Sequence, residues 1–367
     1  MSQKKLTGFF SSRIGIIIVG AGIGICATLL QAAGNPPNMG VCVACFQRDI
    51  AGALGFHRAV VVQYLRPEII GFVLGALIAA LAFKEFKATA GSAPIVRFAL
   101  GMFAMIGALA FLGCPWRAIL RLAGGDMNAL TGLIGLTAGI AIGVQFLKAG
   151  YNLGRSYRTH TAVGYVLPLI MIVLLIFLLV KPDFIFFSGK GPGAMHAPIL
   201  FSLGAGLLIG FTAQRTRFCT MGSVRDVILM GDTHLISGVG AMVAAAFIVN
   251  LLLGSVKVGF ALQPIAHSSH LWNFLGMVLA GLAFALAGGC PGRQLFLAGE
   301  GNSDSGVFVL GMIVGAGVAH NFTLAGKPDK IVDGVLQVGG ISNAGMIAVL
   351  IGIVFCLFVG FTMRDKS

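Results

Sequence analysis

Charge is scarce in this chain of 367 residues. Only 10% of the residues are Asp, Glu, Lys or Arg, whereas a soluble domain carries about 25%. Hydrophobic residues make up 57%, and the mean hydropathy is +0.96. This composition excludes a soluble enzyme and a disordered protein, and it predicts a polytopic membrane protein.

Several motifs of soluble chemistry are also missing. The sequence has no G-x-x-x-x-G-K-[ST], no H-E-x-x-H and no G-x-S-x-G, which excludes ATP hydrolysis through a P-loop. The seven cysteines lack the regular spacing of a disulfide framework, and the seven histidines lack zinc spacing. We therefore expect no metal site and no cofactor, and we expect a protein that is not an enzyme.

Long apolar runs predict an all-α fold with ten transmembrane helices, since a helix needs about 20 residues to cross a bilayer. The predicted spans are 14–33, 66–83, 95–112, 128–148, 162–180, 198–213, 235–253, 271–288, 306–325 and 341–362. Four shorter apolar stretches each begin at a Gly, Cys or Pro cluster, and they cover 40–57, 113–122, 217–230 and 290–298. These four predict re-entrant or broken helices.

Basic residues are distributed unequally between the two sets of loops. One set holds Lys4, Lys5, Arg13, Lys84, Lys87, Arg97, Lys148, Arg155, Arg158, Arg364 and Lys366, and the other holds Lys181, Lys190, Lys257, Lys327 and Lys330. Because cytoplasmic loops are the richer in Lys and Arg, we expect a multi-pass protein of the bacterial inner membrane with both termini in the cytoplasm. The net charge of +13 then reflects topology, and no nucleic-acid partner is expected.

Two uncommon motifs recur at nearly the same offset. Gly113-Cys114-Pro115-Trp116-Arg117 is matched 176 positions later by Gly289-Cys290-Pro291-Gly292-Arg293, and Cys42 with Arg48-Asp49 is matched 177 positions later by Cys219 with Arg225-Asp226. Each half then holds five spans, and an odd number inverts the second half. The sequence predicts one transmembrane transport domain over 1–367, with inverted repeats at about 14–180 and about 198–362. Such folds bind substrate near the midplane, at discontinuous helices.

The repeated Gly-Cys-Pro motif predicts the start of a short helix. Pro115 and Pro291 suit the first helical position, and Gly113 and Gly289 allow a tight turn. Cys114 and Cys290 then take the N-cap position, where free amides and the positive helix end favour an anion. In an inverted repeat, these two thiols are expected to face each other across the midplane.

Cysteines and arginines near the short segments form the predicted substrate pathway. They are Cys42, Cys45, Cys114, Cys219, Cys290, Arg48, Arg117, Arg217, Arg225 and Arg293. Ionisable residues at membrane depth are costly and are functional candidates, and arginines in excess of acids attract anions. Asp49 and Asp226 are expected to pair with arginines, and the lone Cys26 and Cys356 are expected to pack as small hydrophobes.

At the two Gly-Cys-Pro motifs and at Arg217-Phe218-Cys219 the chain resembles the YeeE/YedE family of membrane transporters. This resemblance covers nearly the whole chain. It implies inverted repeats with three important core cysteines, Cys114, Cys219 and Cys290, and a small cytoplasmic sulfur-carrier protein as partner. The stretch 41–55, with its C-x-x-C, is more similar to the YedE branch, which is linked to selenium.

The predicted function is import of a small sulfur or selenium oxyanion, with a selenium compound favoured. The anion would pass along Arg and Cys sites at half-helix N-termini, through S–H contacts or through transient covalent capture. Two alternatives are a thiosulfate uptake transporter and a membrane transferase that loads a cytoplasmic carrier through a persulfide on Cys42 or Cys45. A further alternative is a scaffold subunit whose cysteines are inert and packed.

Overall fold

The computed structural model describes residues 8–364, so Lys4, Lys5 and Lys366 of the orientation argument lie outside the described residues. The elements in chain order are α1 Arg13–Ala32, α2 Val43–Ala53, α3 Pro67–Ala82, β1 Thr89–Ala90, α4 Pro94–Ala110, α5 Pro115–Ala123, α6 Asn128–Lys148, β2 Tyr157–Arg158, α7 Thr161–Gly164, α8 Val166–Val180, α9 Ile199–Thr216, α10 Thr220–Met230, α11 His234–Leu252, α12 His270–Ala287, α13 Pro291–Gly299, α14 Ser303–Asn321, β3 Lys330–Val332, β4 Val335–Gln337 and α15 Asn343–Thr362. The two strand pairs are short and antiparallel.

The polytopic all-α class is confirmed. Eight helical stretches among the described residues are long and apolar enough to cross a membrane, and α3 and α8 are shorter apolar helices. A helix overlaps each of the ten predicted spans, and the short helices α2, α5, α10 and α13 overlap the four shorter stretches, with ends that differ by a few residues.

The short helices begin where the backbone leaves the helical conformation. Leu112, Arg217 and Gly288 take positive φ angles of 62°, 56° and 82° between a long helix and the short helix that follows it. Pro115 and Pro291 then occupy the first turn of α5 and α13, where a proline ring loses no hydrogen bond. Each short helix therefore starts inside the protein rather than at a surface loop.

The most extensive helix contacts join one half of the chain to the other. Helix α1 packs on α11 and α3 packs on α9, while α4 packs on α14 and α6 packs on α12. We match α1 to α6 in order with α9 to α14. Exchanging the two halves then turns the α1–α11 contact into the α9–α3 contact, and the α4–α14 contact into the α12–α6 contact. This exchange supports the proposal of two repeats, with α4 against α12 at their centre.

Close approach of backbones explains the abundance of glycine, which supplies 54 residues. A Cβ on Gly20 of α1 would collide with the carbonyl of Gly238 in α11, and a Cβ on Gly71 of α3 would meet the backbone of Gly206 in α9 at 2.7 to 2.8 Å. Small residues at helix crossings allow tight packing in an apolar solvent. The interlocked halves depend on these contacts.

Candidate functional site

A cysteine occupies the N-cap position of all four short helices in the described chain. Cys42 precedes α2, Cys114 precedes α5, Cys219 precedes α10 and Cys290 precedes α13. The N-cap prediction for Cys114 and Cys290 is confirmed, and the sequence analysis missed the same role for Cys42 and Cys219. Four helix N-termini, each with a positive end and free amides, thus carry a thiol.

The first thiol pair, Cys42 and Cys114, lies in the amino-terminal half. Their Sγ atoms are 3.9 Å apart, and both side chains are fully buried. The amide of Cys45 donates to Cys42 Sγ at 3.3 Å, and the Cys45 thiol donates to the carbonyl oxygen of Leu112 at 3.8 Å. Both cysteines of the C-x-x-C motif therefore lie at this site, Cys42 as a member of the pair and Cys45 as a donor to it.

The second thiol pair, Cys219 and Cys290, lies in the carboxyl-terminal half. The Cys290 amide donates to Cys219 Sγ at 3.5 Å, and the Gly222 amide donates to the same sulfur at 3.2 Å. The sequence analysis expected Cys114 to face Cys290, but the thiol in contact with Cys114 is Cys42 of its own half. The reason is that the two short helices of each half start next to each other.

An aromatic cluster adjoins residues of both thiol pairs. Trp116 is two residues after Cys114, and its ring centroid lies 5.5 Å from that of Phe218, the residue before Cys219. Phe72 and Phe296 complete the cluster, at 5.8 and 6.2 Å from Trp116. We call these four residues the aromatic cluster; all four are fully buried.

A cavity of about 700 Å³, here called the arginine basin, opens on the second thiol pair. Its lining includes Cys219 together with Arg215, Arg217, Arg225 and Arg293. Three of these arginines have acidic partners, which are Glu85, Asp226 and Glu300 at 2.6, 2.8 and 3.0 Å. Arg217 is exposed and forms no ion pair within residues 8–364, and the lining also holds the acidic Asp232.

The two glutamates of these ion pairs respond differently to their surroundings. Burial raises the pKa of Glu85, but hydrogen bonds from Arg215 and Gln214 outweigh it and hold this pKa below its ordinary value. Burial also raises the pKa of Glu300, and Arg293 offsets only part of the rise. Glu85 therefore neutralises Arg215 firmly, whereas Glu300 binds a proton more readily and then leaves Arg293 without its counter-charge.

A second cavity, of about 350 Å³ and here called the outer cavity, has Arg48, Leu112 and Ile265 in its lining. Helix α12 starts five residues after Ile265 and ends beside Gly288 of the arginine basin. Because the 18 residues of α12 span about 27 Å, the two cavities open towards opposite ends of the helices. The Leu112 carbonyl connects this outer cavity to the Cys45 thiol.

Asp49, the acidic residue of the first Arg-Asp motif, is fully paired. Asp49 accepts from Arg48 and from Arg66 at 2.7 Å each, and Arg66 also donates to the carbonyls of Met195 and Pro192. The expected pairing of Asp49 and Asp226 with arginines is confirmed. Arg66 was missed, although an arginine directly before Pro67 at the edge of an apolar span was a usable signal.

Arg117 is absent from the lining of both cavities, although two of its partners, Leu112 and Ile265, line the outer cavity. It is fully buried and donates to the carbonyls of Asn38, Leu112, Pro264 and Ile265. Among the described residues, no carboxylate lies within ion-pair distance of it. Arg117 thus ties the loop before α5 to two other loops and leaves an uncompensated positive charge near the first thiol pair.

The carboxyl-terminal part of the chain matches a known protein family. Residues 215–366 match the family model described as sulphur transport. This stretch includes Cys219, Cys290 and all four arginines of the arginine basin.

Three characterised or named relatives align with parts of the chain. It is 31% identical over 113 residues to the thiosulfate transporter TsuA of Escherichia coli, which is 29% of this chain and 30% of the relative. It is 32% identical over 96 residues to TsuA of Spirochaeta thermophila, covering 26% and 28%. It is 28% identical over 132 residues to the probable transporter YedE of Escherichia coli, covering 34% and 30%.

The aligned stretches therefore span less than a third of the length of these relatives. Together with the family model, they confirm the resemblance to the YeeE/YedE family of membrane transporters.

Proposed function

We propose that this YeeE/YedE-type membrane transporter takes up a small sulfur oxyanion through the two thiol pairs. The observation that carries the proposal is the set of four cysteine-capped helix N-termini between two oppositely placed cavities. A helix N-terminus binds anionic oxygen, and a thiol is a weak donor that suits a soft terminal sulfur. An anion with both kinds of atom matches such a site.

Thiosulfate is the first substrate to test, because two relatives are named thiosulfate transporters. A selenium oxyanion with a terminal selenium atom offers the same combination of hard oxygens and a soft chalcogen, so the selenium alternative rests on the same site. In this proposal, arginines concentrate the anion at each entrance, and several weak sites in series allow rapid passage.

We also propose the inner membrane, with both termini in the cytoplasm, and two inverted repeats as the architecture. The arginine basin then faces the cytoplasm, and the outer cavity receives the anion. Loops 84–92 and 149–159, which carry four of the basic residues of the larger set, meet where β1 pairs with β2. This clustering supports the assignment of that face to the cytoplasm.

Transport is favoured over sulfur transfer by the burial of the first cysteines. A persulfide on Cys42 or Cys45 would have to meet a carrier protein, yet both side chains have no exposed surface. Cys219 is the thiol that lines the arginine basin. A stable adduct on Cys219, found by mass spectrometry after exposure to thiosulfate, would instead favour transfer to a small cytoplasmic carrier.

The test is uptake of labelled thiosulfate by liposomes that contain only this protein. Cys114→Ser and Cys290→Ser are expected to lower the initial rate by about tenfold or more, equal to about 1.4 kcal/mol. Serine is a good N-cap, so these variants keep the helix starts and lose only the soft thiol. Cys356→Ser, at a buried lone cysteine of α15, is the matched control and should transport normally.

Wild-type rates in both Cys114→Ser and Cys290→Ser would contradict the thiol pathway. Competition by unlabelled selenite, selenate and sulfate in the same liposomes ranks the substrates. Stronger competition by selenite than by unlabelled thiosulfate would assign the protein to selenium.

A further inference from the structure

At Trp116 the two halves of the chain share one space near the thiols. It lies in the first Gly-Cys-Pro motif, and Gly292 stands at the matching position of the second motif. A Cβ added to Gly292 would lie 3.0 Å from Cε2 and Cζ2 of the Trp116 ring. The indole of one repeat thus fills the place that its counterpart leaves empty, and two bulky residues could not fit there together.

The indole ring contacts residues that are close in sequence to both thiol pairs. It is covered by Phe72, Phe218 and Phe296, and it follows Cys114 by two residues on one side and faces Gly292, two residues after Cys290, on the other. The arginine basin includes Cys219 but not Trp116, and the outer cavity stops at Leu112. The ring therefore borders residues of both Gly-Cys-Pro motifs, next to both thiol pairs.

The indole also carries an unused donor. Trp116 is fully buried, and its Nε1 has no hydrogen-bond partner among the described residues. A buried N–H without an acceptor is destabilising, and an indole nitrogen can only donate. The group is therefore able to bind an acceptor that enters the space between the thiol pairs, and an oxyanion is such an acceptor.

We propose that Trp116 is the gate of the pathway and a specificity-determining residue for the anion. In the closed state its ring fills the space beside Gly292. During passage the ring moves aside, and its Nε1–H donates to an oxygen of the anion while the thiols contact the soft atom. The proposal rests on the transport function proposed above, and it adds that anions without an acceptor oxygen are held back at the ring.

The barrier is tested with iodide, an anion that lacks oxygen, in liposomes that contain the full chain. Trp116→Ala is expected to let iodide through at a rate at least about tenfold above wild type, because the ring is removed. Trp116→Phe keeps most of the ring and should stay closed to iodide, while thiosulfate uptake falls by about five- to tenfold because one hydrogen bond is lost. Trp272→Phe, at the other tryptophan of the chain, is the control and should match wild type.

An iodide rate in Trp116→Ala equal to that of wild type would overturn the gate. Thiosulfate uptake by Trp116→Phe at the wild-type rate would overturn the role of the indole N–H. Failure of the proposed function looks different, because wild-type liposomes would then take up no thiosulfate, whereas the iodide leak would still report on the gate.

A second measurement does not depend on a folded alanine variant. In the Trp272→Phe background, Trp116 is the sole tryptophan, and its fluorescence is expected to shift when thiosulfate is added. Adding Gly292→Ala to this background places a methyl group against the ring. A well-packed interior accommodates an extra methyl group poorly, so both the fluorescence shift and the uptake should decrease at least about fivefold. Emission that does not change with thiosulfate would overturn the proposal.

Discussion

The two Arg–Asp pairs of the repeats look equivalent in the sequence, but their surroundings differ. Asp49 has a fully buried side chain between Arg48 and Arg66. Asp226 pairs with Arg225 alone, and the Arg225 side chain is 32% exposed. Removing one member of a buried ion pair leaves an uncompensated charge, whereas an exposed pair contributes little.

Asp49→Asn is therefore expected to lower the free energy of unfolding by about 3–5 kcal/mol. Asp226→Asn, its counterpart in the second repeat, should lower it by less than about 1 kcal/mol. Thermal and denaturant unfolding of the two variants in the same detergent checks the difference. Equal losses would show that water reaches Asp49, contrary to the geometry.

Residue types alone predicted the positions of the thiols but not their partners. The Gly-Cys-Pro motifs located two N-caps, since proline restricts where a helix begins. Which thiols meet depends on how the N-termini of α2 and α5 come together, and no pattern within one motif contains that information. The sequence did distinguish Trp116. It is one of only two tryptophans, and its pairing with Gly292 is the one mismatch in the repeated motif.

Helix existence could be read from the sequence, because apolar length and proline position are local properties. The helices of the ten spans and the four short helices overlap the segments that hydropathy predicted. Their pairing could not be read, since α1 meets α11 and α4 meets α14 across about 200 residues of chain. The glycines that permit these crossings were counted in the sequence, but the partner of each remained undefined.

Helix α1 offers a direct test of the crossing with α11. Gly20→Ala puts a methyl group into the carbonyl of Gly238, while Gly22, two residues later, has nothing within 4 Å of an added Cβ. We expect Gly20→Ala to destabilise the protein by about 1–3 kcal/mol. Gly22→Ala should be neutral or stabilising by up to about 1 kcal/mol, as alanine favours helices.

The stability of both glycine variants is compared by the midpoint of thermal unfolding in detergent. The fraction of protein that remains monodisperse is the readout. A larger loss in Gly22→Ala than in Gly20→Ala would contradict the described packing of α1 on α11.

At the scale of the whole molecule, the loops define two faces that differ in charge and in the cavity they surround. Lys87 lies next to Glu300 on the face of the arginine basin, since its amide donates to the Glu300 carbonyl. Lys190 lies beside Pro192, which lines the outer cavity. Orientation in the membrane decides which cavity meets the incoming anion.

Labelling of an introduced cysteine distinguishes the two orientations. Lys190→Cys and Lys87→Cys place thiols at exposed positions on opposite faces. With the termini in the cytoplasm, an impermeant maleimide should label Lys190→Cys in intact spheroplasts and should label Lys87→Cys only after permeabilisation. The unsubstituted chain provides the background, and the reverse pattern of labelling would overturn the proposed orientation.

The pairing of helices across the halves also determines how the protein is made. Helix α1 is inserted before its partner α11 exists, because 201 positions separate Ala32 from the start of α11 at His234. At about 5–20 residues per second, this delay lasts about 10 to 40 s. During that time the glycine surface of α1 faces lipid, and the first half cannot complete its own packing. Biogenesis of the protein therefore requires a membrane-inserted but unassembled half-molecule, and assembly becomes possible only when the ribosome has delivered the second half.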